Sequence, residues 1–258
     1  MSGFDLEGKV ALVTGGNRGI GLGMAEGLAA AGADLVIWGS NPDKNAAAEK
    51  LLKTHGRRVL AQRCDVTDEA QVEKSFAEAV KAMGRIDGCF ANAGVSQARA
   101  PLAELPTKEW RRVMQVNLDG AFFTLRAAAR HMTERAKASD AGGRLVGMAS
   151  SAAIHGAARA ASYAATKGAM LAMIRALAVE MARYQVTANS ILPGWIESDM
   201  TAAAIGDAKF SAAVLPRIPL RRWGTKEDFA GIAVYLMSEA SGYHTGDHFV
   251  IDGAYTIF

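Results

Sequence analysis

The sequence predicts an α/β protein in which one doubly wound parallel sheet of about seven strands carries helices on both faces. The main observation is the alternation of short β-branched, apolar runs with longer segments of helical composition along the chain. The second is size, because 258 residues, of which 50% are hydrophobic, can bury a large core in one domain. No linker-like tract and no internal repeat interrupts the pattern.

Seven runs are the predicted strands, in chain order. They are KVALVTG (9–15), ADLVIWG (33–39), RVLAQRCDV (58–66), RIDGCFANAG (85–94), GRLVGMAS (143–150), VTANSILPG (186–194) and DHFVID (247–252). Helical segments such as GLGMAEGLAAAG and DEAQVEKSFAEAVKAMG separate them. The interval of about 195–220 has no clear strand or helix pattern, and such a segment in a compact domain commonly covers a ligand. We expect it to form a substrate lid.

The first predicted strand runs directly into the glycine-rich stretch TGGNRGIGLGMAEGL. Gly15, Gly19 and Gly21 fall in a T-G-x-x-x-G-x-G spacing between a strand and a helix. Glycine permits the tight turn and close backbone approach that a pyrophosphate needs, and the helix N-terminus offers free N–H groups. Because glycine also makes plain turns, the prediction of a dinucleotide site depends on the position of this motif at the first βα junction. We expect a Rossmann-type dinucleotide-binding domain over residues 1–258.

Two polar residues at later strand ends are compatible with the same ligand. Asp65 ends the third predicted strand, where its carboxylate could accept from an adenine amino group, and Asn92 opens the triplet NAG after the fourth. Both positions lie at the carboxyl ends of strands, where open α/β sheets bind ligands. The simpler interpretations are helix capping for Asp65 and a plain turn for Asn92.

The stretch SYAATKGAMLAM (162–173) places a phenol and an ammonium in an otherwise small, mostly apolar run. On a helix, Tyr163 and Lys167 lie one above the other because they are four residues apart. A neighbouring cation favours the phenolate and lowers the pKa of a tyrosine from about 10, which makes the phenol useful as a general acid or base. The alternative is a buried tyrosine with a satisfied hydroxyl and a lysine that reaches solvent.

Composition argues against several classes of protein. The net charge is only +3, and the basic pairs are scattered along the chain with acidic residues between them. No nucleic-acid interface is therefore predicted. No apolar run of about 18 residues spans a membrane and the first residues lack a signal-peptide pattern, so we expect a cytoplasmic protein. Cys64 and Cys89 lie in strand-like runs and are interpreted as buried hydrophobes. The five histidines form no metal-ligand pattern, and no metal is expected.

Several motifs occur together and in order: TGGNRGIG, CDV, NAG, VNLDG, GMASSAA, YAATK, ILPGWI and TGDHFVIDG. With these motifs the chain, from roughly residue 5 to 254, resembles the short-chain dehydrogenase/reductase family in its compact form, and within it the 3-oxoacyl-(acyl carrier protein) reductases. Several motifs in the right order are far more specific than one. The resemblance favours a catalytic role for Tyr163 and Lys167 over a packing role.

The resemblance implies roles for four residues. Tyr163 matches the catalytic tyrosine, Lys167 the lysine that holds the nicotinamide ribose and lowers the tyrosine pKa, and Asn117 the asparagine that anchors a proton-relay water. The substrate-binding serine has two candidates. Ser150 lies thirteen residues before the tyrosine, the usual spacing in the family, and is therefore assigned in preference to Ser151.

The resemblance also implies which residues contact a nicotinamide dinucleotide. They lie in the glycine loop and at strand ends: Gly15, Asn17, Arg18, Gly19, Ile20, Ser40, Asp65, Val66, Asn92, Ala93, Gly94, Tyr163, Lys167, Pro193, Gly194, Ile196 and Ser198. Ser198 stands where a threonine often follows the Pro-Gly turn, and it keeps a hydroxyl for the carboxamide end of the cofactor.

The residues after the second strand indicate the form of the cofactor. NAD sites usually place an Asp or Glu about twenty residues past the glycine loop, on the ribose 2′-hydroxyl. Here Ser40 and its neighbours are uncharged, and Asp43 follows Pro42 in a predicted first helical turn. Arg18 can reach a 2′-phosphate, with the Ser40 hydroxyl as a second donor. We predict NADP(H) over NAD(H), which an uncharged pocket also tolerates.

These features predict an oxidoreductase that transfers a hydride between a nicotinamide and a carbonyl or secondary alcohol. Tyr163 exchanges the proton and Ser150 binds the substrate oxygen. The alternatives are an NAD-dependent sugar-acid or polyol dehydrogenase and a non-catalytic nucleotide-sensing protein. Ser150 has no G-x-S-x-G elbow, which argues against a serine hydrolase. The substrate stays open, and the expected pocket walls are of mixed polarity: Ser96, Gln97, Trp195 and Met200.

The helix predicted over about 160–184 bears on assembly. It is apolar on nearly every side, whereas a helix packed on one sheet needs a single apolar stripe. The surplus indicates a second buried face against another subunit. The family resemblance implies a homotetramer.

Overall fold

The computed structural model describes residues 3–258 and is built around one sheet of seven parallel strands. The strands are β1 Val10–Thr14, β2 Asp34–Gly39, β3 Val59–Arg63, β4 Gly88–Ala91, β5 Gly143–Met148, β6 Val186–Pro193 and β7 His248–Ile251. Their order in the sheet is β3-β2-β1-β4-β5-β6-β7. The predicted α/β fold with a doubly wound parallel sheet is confirmed, and each strand lies within its predicted run.

Ten α-helices connect or flank the strands of the described chain. They are α1 Gly19–Ala30, α2 Pro42–Lys53, α3 Glu69–Met83, α4 Thr107–Met114, α5 Gly120–Lys137, α6 Ala152–His155, α7 Ala161–Met181, α8 Ala202–Ile205, α9 Ala208–Val214 and α10 Ala230–Met237. A π-helical turn, Gln115–Asp119, joins α4 to α5. Asn41 caps α2 by accepting from the Lys44 amide, and Pro42 follows in the first turn, as predicted.

Alternate side chains of the strands build two cores, one on each face of the sheet. In β1, Leu12 packs in the core that includes Phe76 of α3 and Ile174 of α7. Its neighbour Val13 belongs to the opposite core, with Leu28 of α1. Strands that are buried on both faces are apolar throughout, because successive side chains point to opposite sides. This arrangement explains the continuous apolar runs in the sequence.

The strand order reverses beside β1, whose neighbours are β2 and β4. In open α/β sheets this switch point leaves a crevice at the carboxyl ends of the strands, where ligands bind. The glycine loop follows β1, and the NAG triplet that begins with Asn92 follows β4. The fold therefore brings these two motifs to one crevice although about 75 residues separate them.

The 195–220 segment contains two short helices, α8 and α9, where the sequence showed no clear pattern. At four and seven residues, they are too short for a helical period to stand out. Two backbone hydrogen bonds join the start of this segment to Gly224. The Gly224 amide donates to Trp195 O at 3.0 Å, and the Glu197 amide donates to Gly224 O at 2.8 Å. Within residues 3–258, no helix is both long and apolar enough to span a membrane.

Candidate active site

The glycine loop forms a cradle at the start of α1. Gly15 has φ +64°, a conformation that favours glycine, and a Cβ on Gly21 would lie 2.3 Å from Gly15 O. In the described chain, the residue that precedes α1, Arg18, makes no side-chain capping hydrogen bond. The first N–H groups of α1 are thus left for a ligand, and an anion is the group they favour. The loop suits the pyrophosphate of a dinucleotide.

Two side chains tie the cradle to the end of β4. The hydroxyl of Thr14 accepts from the amides of Asn92 and Ala93, both at 2.9 Å. In return, the Asn92 side-chain nitrogen donates to Thr14 O at 2.9 Å. Asn92 is thus more than a plain turn residue, because its side chain positions the loop. Thr14 is a buried positioning residue that the sequence analysis did not single out.

Asp65 stands after β3 with its carboxylate exposed. It accepts from the amide and the hydroxyl of Thr67, at 3.0 and 2.8 Å. The alternative that Asp65 caps a helix is wrong, since Asp68 is the residue that caps α3. Asp65 and Val66 lie at the carboxyl edge of the sheet, and their contact with an adenine stays a prediction.

Ser150, Tyr163 and Lys167 come together beyond the end of β5. Ser150 follows the strand by two residues, while Tyr163 and Lys167 occupy successive turns of α7. The Lys167 ammonium lies 5.5 Å from the centre of the Tyr163 ring and donates to Met148 O at 2.8 Å. Lys167 is 4% exposed, so the alternative that it reaches solvent is wrong. The ammonium therefore lies at the carboxyl end of β5.

Burial shifts the pKa values of both members of this pair. Desolvation raises the pKa of Tyr163, and a hydrogen bond with Ser150 acts in the opposite direction. Desolvation also lowers the pKa of Lys167 to about 8. A lowering of the tyrosine pKa by Lys167 stays a prediction, and the net direction in this structure is upward. The physical reason is that burial of the phenol outweighs the favourable effects on its anion.

Asn117 lies inside the π-helical turn between α4 and α5, a type of turn that is often found at functional sites. Its side-chain oxygen accepts from the Val95 amide at 2.8 Å. Its nitrogen donates to Val95 O at 3.0 Å and to the Thr166 hydroxyl at 3.4 Å. Both amide hydrogens are thus engaged, and the side chain fixes the loop after β4 beside α7. The water-anchoring role stays a prediction.

Gln97 supports the start of α7. Its side-chain oxygen accepts from the amide and hydroxyl of Ser162, at 2.8 and 2.6 Å, and its nitrogen donates to Arg159 O at 3.1 Å. Gln97 is buried, so it acts as a cap supplied by another loop instead of the pocket wall that we predicted. The sequence held no signal for this role, because 65 residues separate the two partners.

The last predicted cofactor contacts lie where β6 leads into the 195–220 segment. Gly194 packs closely on Asp252, and Ile196 forms a β-bridge with Gly224. A Cβ on Gly19 would lie 3.6 Å from the Ser198 Cβ, so the segment touches the glycine loop. The last contact places Ser198 beside the glycine loop, and binding of the dinucleotide by Pro193, Gly194, Ile196 and Ser198 stays a prediction.

Charged groups surround the predicted ribose end of the cradle. Ser40 is exposed at the end of β2, and Arg18 is exposed in the glycine loop. Lys44 and Asp199 join them, neither of which the sequence analysis had singled out. The Asp199 carboxylate lies 2.9 Å from an Arg18 nitrogen and 3.0 Å from Lys44 Nζ. Asp43 lies in the first turn of α2, as predicted.

The two cysteines and His155 are packed against other side chains and show no sign of a role in the chemistry of the site. Burial raises the pKa of Cys64 to about 11 and that of Cys89 to about 12, which makes both thiols unreactive at neutral pH. His155 packs its ring against Tyr255, with 5.5 Å between ring centres. Across residues 3–258, no group of His, Cys, Asp and Glu side chains has the arrangement of a metal site.

The chain is similar to known proteins over almost its whole length. A family profile described as enoyl-(acyl carrier protein) reductase matches residues 15–256. Gluconate 5-dehydrogenase of Gluconobacter oxydans is 36% identical over 254 residues, covering 98% of this chain and 97% of the relative.

Solved structures agree with both the fold and the family. A short-chain type dehydrogenase/reductase from Mycobacterium marinum superposes with a TM-score of 0.92 at 34% identity, covering 99% of this chain and 98% of that one. A gluconate 5-dehydrogenase from Burkholderia cenocepacia, in complex with NADP and tartrate, also gives 0.92, at 37% identity and with 98% and 97% covered. The chain is therefore an oxidoreductase that belongs to the short-chain dehydrogenase/reductase family.

Proposed function

We propose that this protein catalyses hydride transfer between NADP(H) and a sugar acid, at a ketone or the matching secondary alcohol. The observation that carries the proposal is the convergence of Ser150, Tyr163 and Lys167 beside the glycine cradle. The similarity to gluconate 5-dehydrogenases supports the substrate class. The complex of the Burkholderia relative with NADP, together with an uncharged β2 end at Ser40 and the nearby Arg18, supports the form of the cofactor.

The side chains divide the acid–base work. A bound nicotinamide supplies or accepts the hydride. During reduction, Tyr163 gives its proton to the substrate oxygen, while the Ser150 hydroxyl donates a hydrogen bond to the same oxygen. Burial keeps Tyr163 protonated, which suits a proton donor. Lys167 would bind the hydroxyls of the nicotinamide ribose. Its charge would favour the phenolate that remains after Tyr163 has given up its proton.

A sugar acid brings a carboxylate that needs a cation, and Arg99 is placed to meet it. Arg99 is exposed on the loop after β4 and lies 5.6 Å from the ring of Phe210 in α9. It has no ion-pair partner in the part of the chain that the structure describes. Gln97, two residues earlier, is bonded to Ser162 next to Tyr163, so this loop borders the reacting end of the site.

The substrate proposal is tested by a panel at fixed enzyme and NADPH or NADP⁺ concentration. The panel contains gluconate, 5-ketogluconate, mannitol, fructose and an acetoacetyl thioester. We expect the highest kcat/KM with the acids, for which the carboxylate adds binding energy at Arg99. A clear preference for the thioester would instead favour an acyl-thioester reductase, and a preference for mannitol a polyol dehydrogenase.

The role of Arg99 is tested with Arg99→Ala. We expect KM for the preferred acid to rise about tenfold or more, because loss of a charge-assisted hydrogen bond removes about 1.5–3 kcal/mol. Turnover of any uncharged polyol should be unaffected. The matched control is Lys81→Ala, which removes the same charge from the exposed face of α3. Equal effects of the two substitutions would show that only overall charge matters.

We propose that the 195–220 segment is the substrate lid. Val214 and Ile218 are buried with Tyr255, and Trp195, Phe210, Leu215 and Trp223 pack around them. The bonds between Trp195, Glu197 and Gly224 close the base of the segment, so that it is held as one unit beside the site. Protection of this segment from proteolysis by cofactor and substrate together would support the role, and unchanged cleavage would contradict it.

We also propose a homotetramer. In α7, Val179 is 83% exposed, and small residues such as Ala165, Gly168 and Ala172 are exposed on the same helix. Such a face is suited to burial against another subunit. Light scattering should give four times the chain mass of 27.1 kDa, and Val179→Glu should lower the mass. A monomer mass for the unmodified chain at micromolar concentration would refute the assembly.

A location in the cytoplasm is the last part of the proposal. Its support is the pair of free, buried cysteines, Cys64 and Cys89, which is compatible with a reducing compartment. Cell fractionation of the tagged protein should recover it with cytosolic markers, and recovery with periplasmic or secreted markers would contradict the location.

A further inference from the structure

One carboxylate and two cations from distant parts of the chain meet at the ribose end of the cradle. A single oxygen of Asp199 contacts Arg18 of the glycine loop at 2.9 Å and Lys44 of α2 at 3.0 Å. Both cations hold the pKa of Asp199 below its ordinary range, Lys44 being the larger cause. Each of the three side chains is about half exposed, at 57%, 46% and 62% for Arg18, Lys44 and Asp199.

The two cations flank the place where a ribose 2′-substituent binds. In dinucleotide-binding sheets of this kind, the residue at the end of the second strand faces the 2′-position, and here it is Ser40. Arg18 approaches from the glycine loop, and Lys44 from the first turn of α2. The carboxylate of Asp199 therefore stands where the cations would also meet the 2′-phosphate of NADP(H).

We infer that Asp199 competes with the 2′-phosphate for Arg18 and Lys44, and that it sets how strongly the enzyme selects NADP(H) over NAD(H). Lys44 is accordingly a second cationic ligand of the phosphate beside Arg18. An ion pair between exposed groups contributes little in water, so the phosphate, with its higher charge, can displace the carboxylate. The exchange retains charge pairing for both cations. The inference rests on the proposed use of NADP(H) and is independent of the substrate.

The test measures binding of 2′,5′-ADP and 5′-ADP by titration calorimetry at low salt. Asp199→Asn should bind 2′,5′-ADP about three- to tenfold more tightly, because the competing charge is gone, and 5′-ADP unchanged. Lys44→Ala should weaken binding of 2′,5′-ADP alone. In the Lys44→Ala background, the gain from Asp199→Asn should shrink, since one of the two cations that the carboxylate contacts is missing. At 0.5 M salt the gain should also shrink.

The matched control is Asp43→Asn, which neutralises a neighbouring exposed carboxylate that pairs with no cation in the described chain. It should change binding of 2′,5′-ADP less than Asp199→Asn does. Equal gains from both variants, or no gain from Asp199→Asn while the unmodified enzyme prefers 2′,5′-ADP, would overturn the inference alone. If the unmodified enzyme does not prefer 2′,5′-ADP to 5′-ADP, both the inference and the proposed cofactor fail.

Discussion

The glycine loop and the 195–220 segment face each other across the proposed cofactor site, yet different interactions hold them. The glycine loop is set by backbone packing that leaves no room for a Cβ at Gly21, and by hydrogen bonds among Thr14, Asn92 and Ala93. The opposite segment is held by aromatic packing around Phe210 and by ion pairs of exposed groups such as Asp199.

The difference reflects what each region binds. A pyrophosphate is the same in every dinucleotide, so one backbone geometry serves it, and a sequence motif can specify that geometry. A substrate is recognised by side chains that vary with its chemistry, and these stand on loops and short helices. We therefore expect substitutions in the buried cradle and catalytic pair to abolish or severely impair function, and substitutions in the 195–220 segment to change affinity.

The largest effect is expected from Tyr163→Phe. Loss of the proton donor should lower kcat by about 10²–10⁴, the usual contribution of general acid–base catalysis, while cofactor affinity stays near that of the unmodified enzyme. Single-turnover kinetics and cofactor titration measure the two quantities. Ser150→Ala should be severe and Ser151→Ala mild, since Ser150 is the serine that lowers the pKa of the Tyr163 phenol. Near-normal turnover in Tyr163→Phe would remove the tyrosine from the mechanism.

Gly21→Ala tests the packing of the cradle. The added methyl would lie 2.3 Å from Gly15 O, so the loop must shift, and we expect a loss of about 1–3 kcal/mol in stability together with weaker cofactor binding. Gly231→Ala in α10 is the control, because no atom beyond its chain neighbours and the backbone of its own helix lies within 4 Å of its Cβ position. The control should be neutral or stabilising by up to about 1 kcal/mol. Equal behaviour of the two variants in urea unfolding would argue against a close-packed cradle.

Lys167→Met tests the burial of the ammonium, through the pH dependence of the free energy of unfolding. Since burial lowers the pKa of Lys167 from 10.5 to about 8, both states hold the proton below pH 8 and the burial penalty is fully present there. Above pH 8 the folded state loses the proton first, and the penalty declines. Relative to Lys167→Met, the unmodified chain should gain about 2 kcal/mol between pH 7 and 9.5. A difference that does not change with pH would contradict the lowered pKa.

Gln97→Leu tests the cap on the catalytic helix. It leaves the Ser162 amide and the Arg159 carbonyl without their partner, and we expect a loss of about 1–2 kcal/mol in the free energy of unfolding. Because the start of α7 carries Tyr163, kcat should fall more than KM rises. Lys108→Ala, an exposed residue in the first turn of α4, should change neither quantity. An unchanged kcat in Gln97→Leu would mean that α7 keeps its place without the cap.

The smallest change in stability is expected for Phe210→Ala in the 195–220 segment. The ring packs on Trp195 at 4.9 Å and below Arg99 at 5.6 Å, but it is only half-buried. The free energy of unfolding should change by less than about 1 kcal/mol, while KM for the substrate rises several-fold as the segment loosens. If stability falls by as much as in Gly21→Ala, the segment belongs to the structural core and the contrast between the two regions does not hold.

The sequence by itself determined the sheet, the glycine loop and the helical spacing of the candidate catalytic pair. These features depend on local order: apolar runs of strand length, a glycine spacing at one βα junction, and Tyr163 and Lys167 one helical turn apart. Only the tertiary structure decided that Gln97 caps α7, that Arg99 stands over Phe210, and that Asp199 meets Arg18 and Lys44. The partners in these contacts are separated by 65 to 181 residues, so folding alone brings them together. The same holds for the raised pKa of Tyr163, because desolvation depends on everything packed around the phenol.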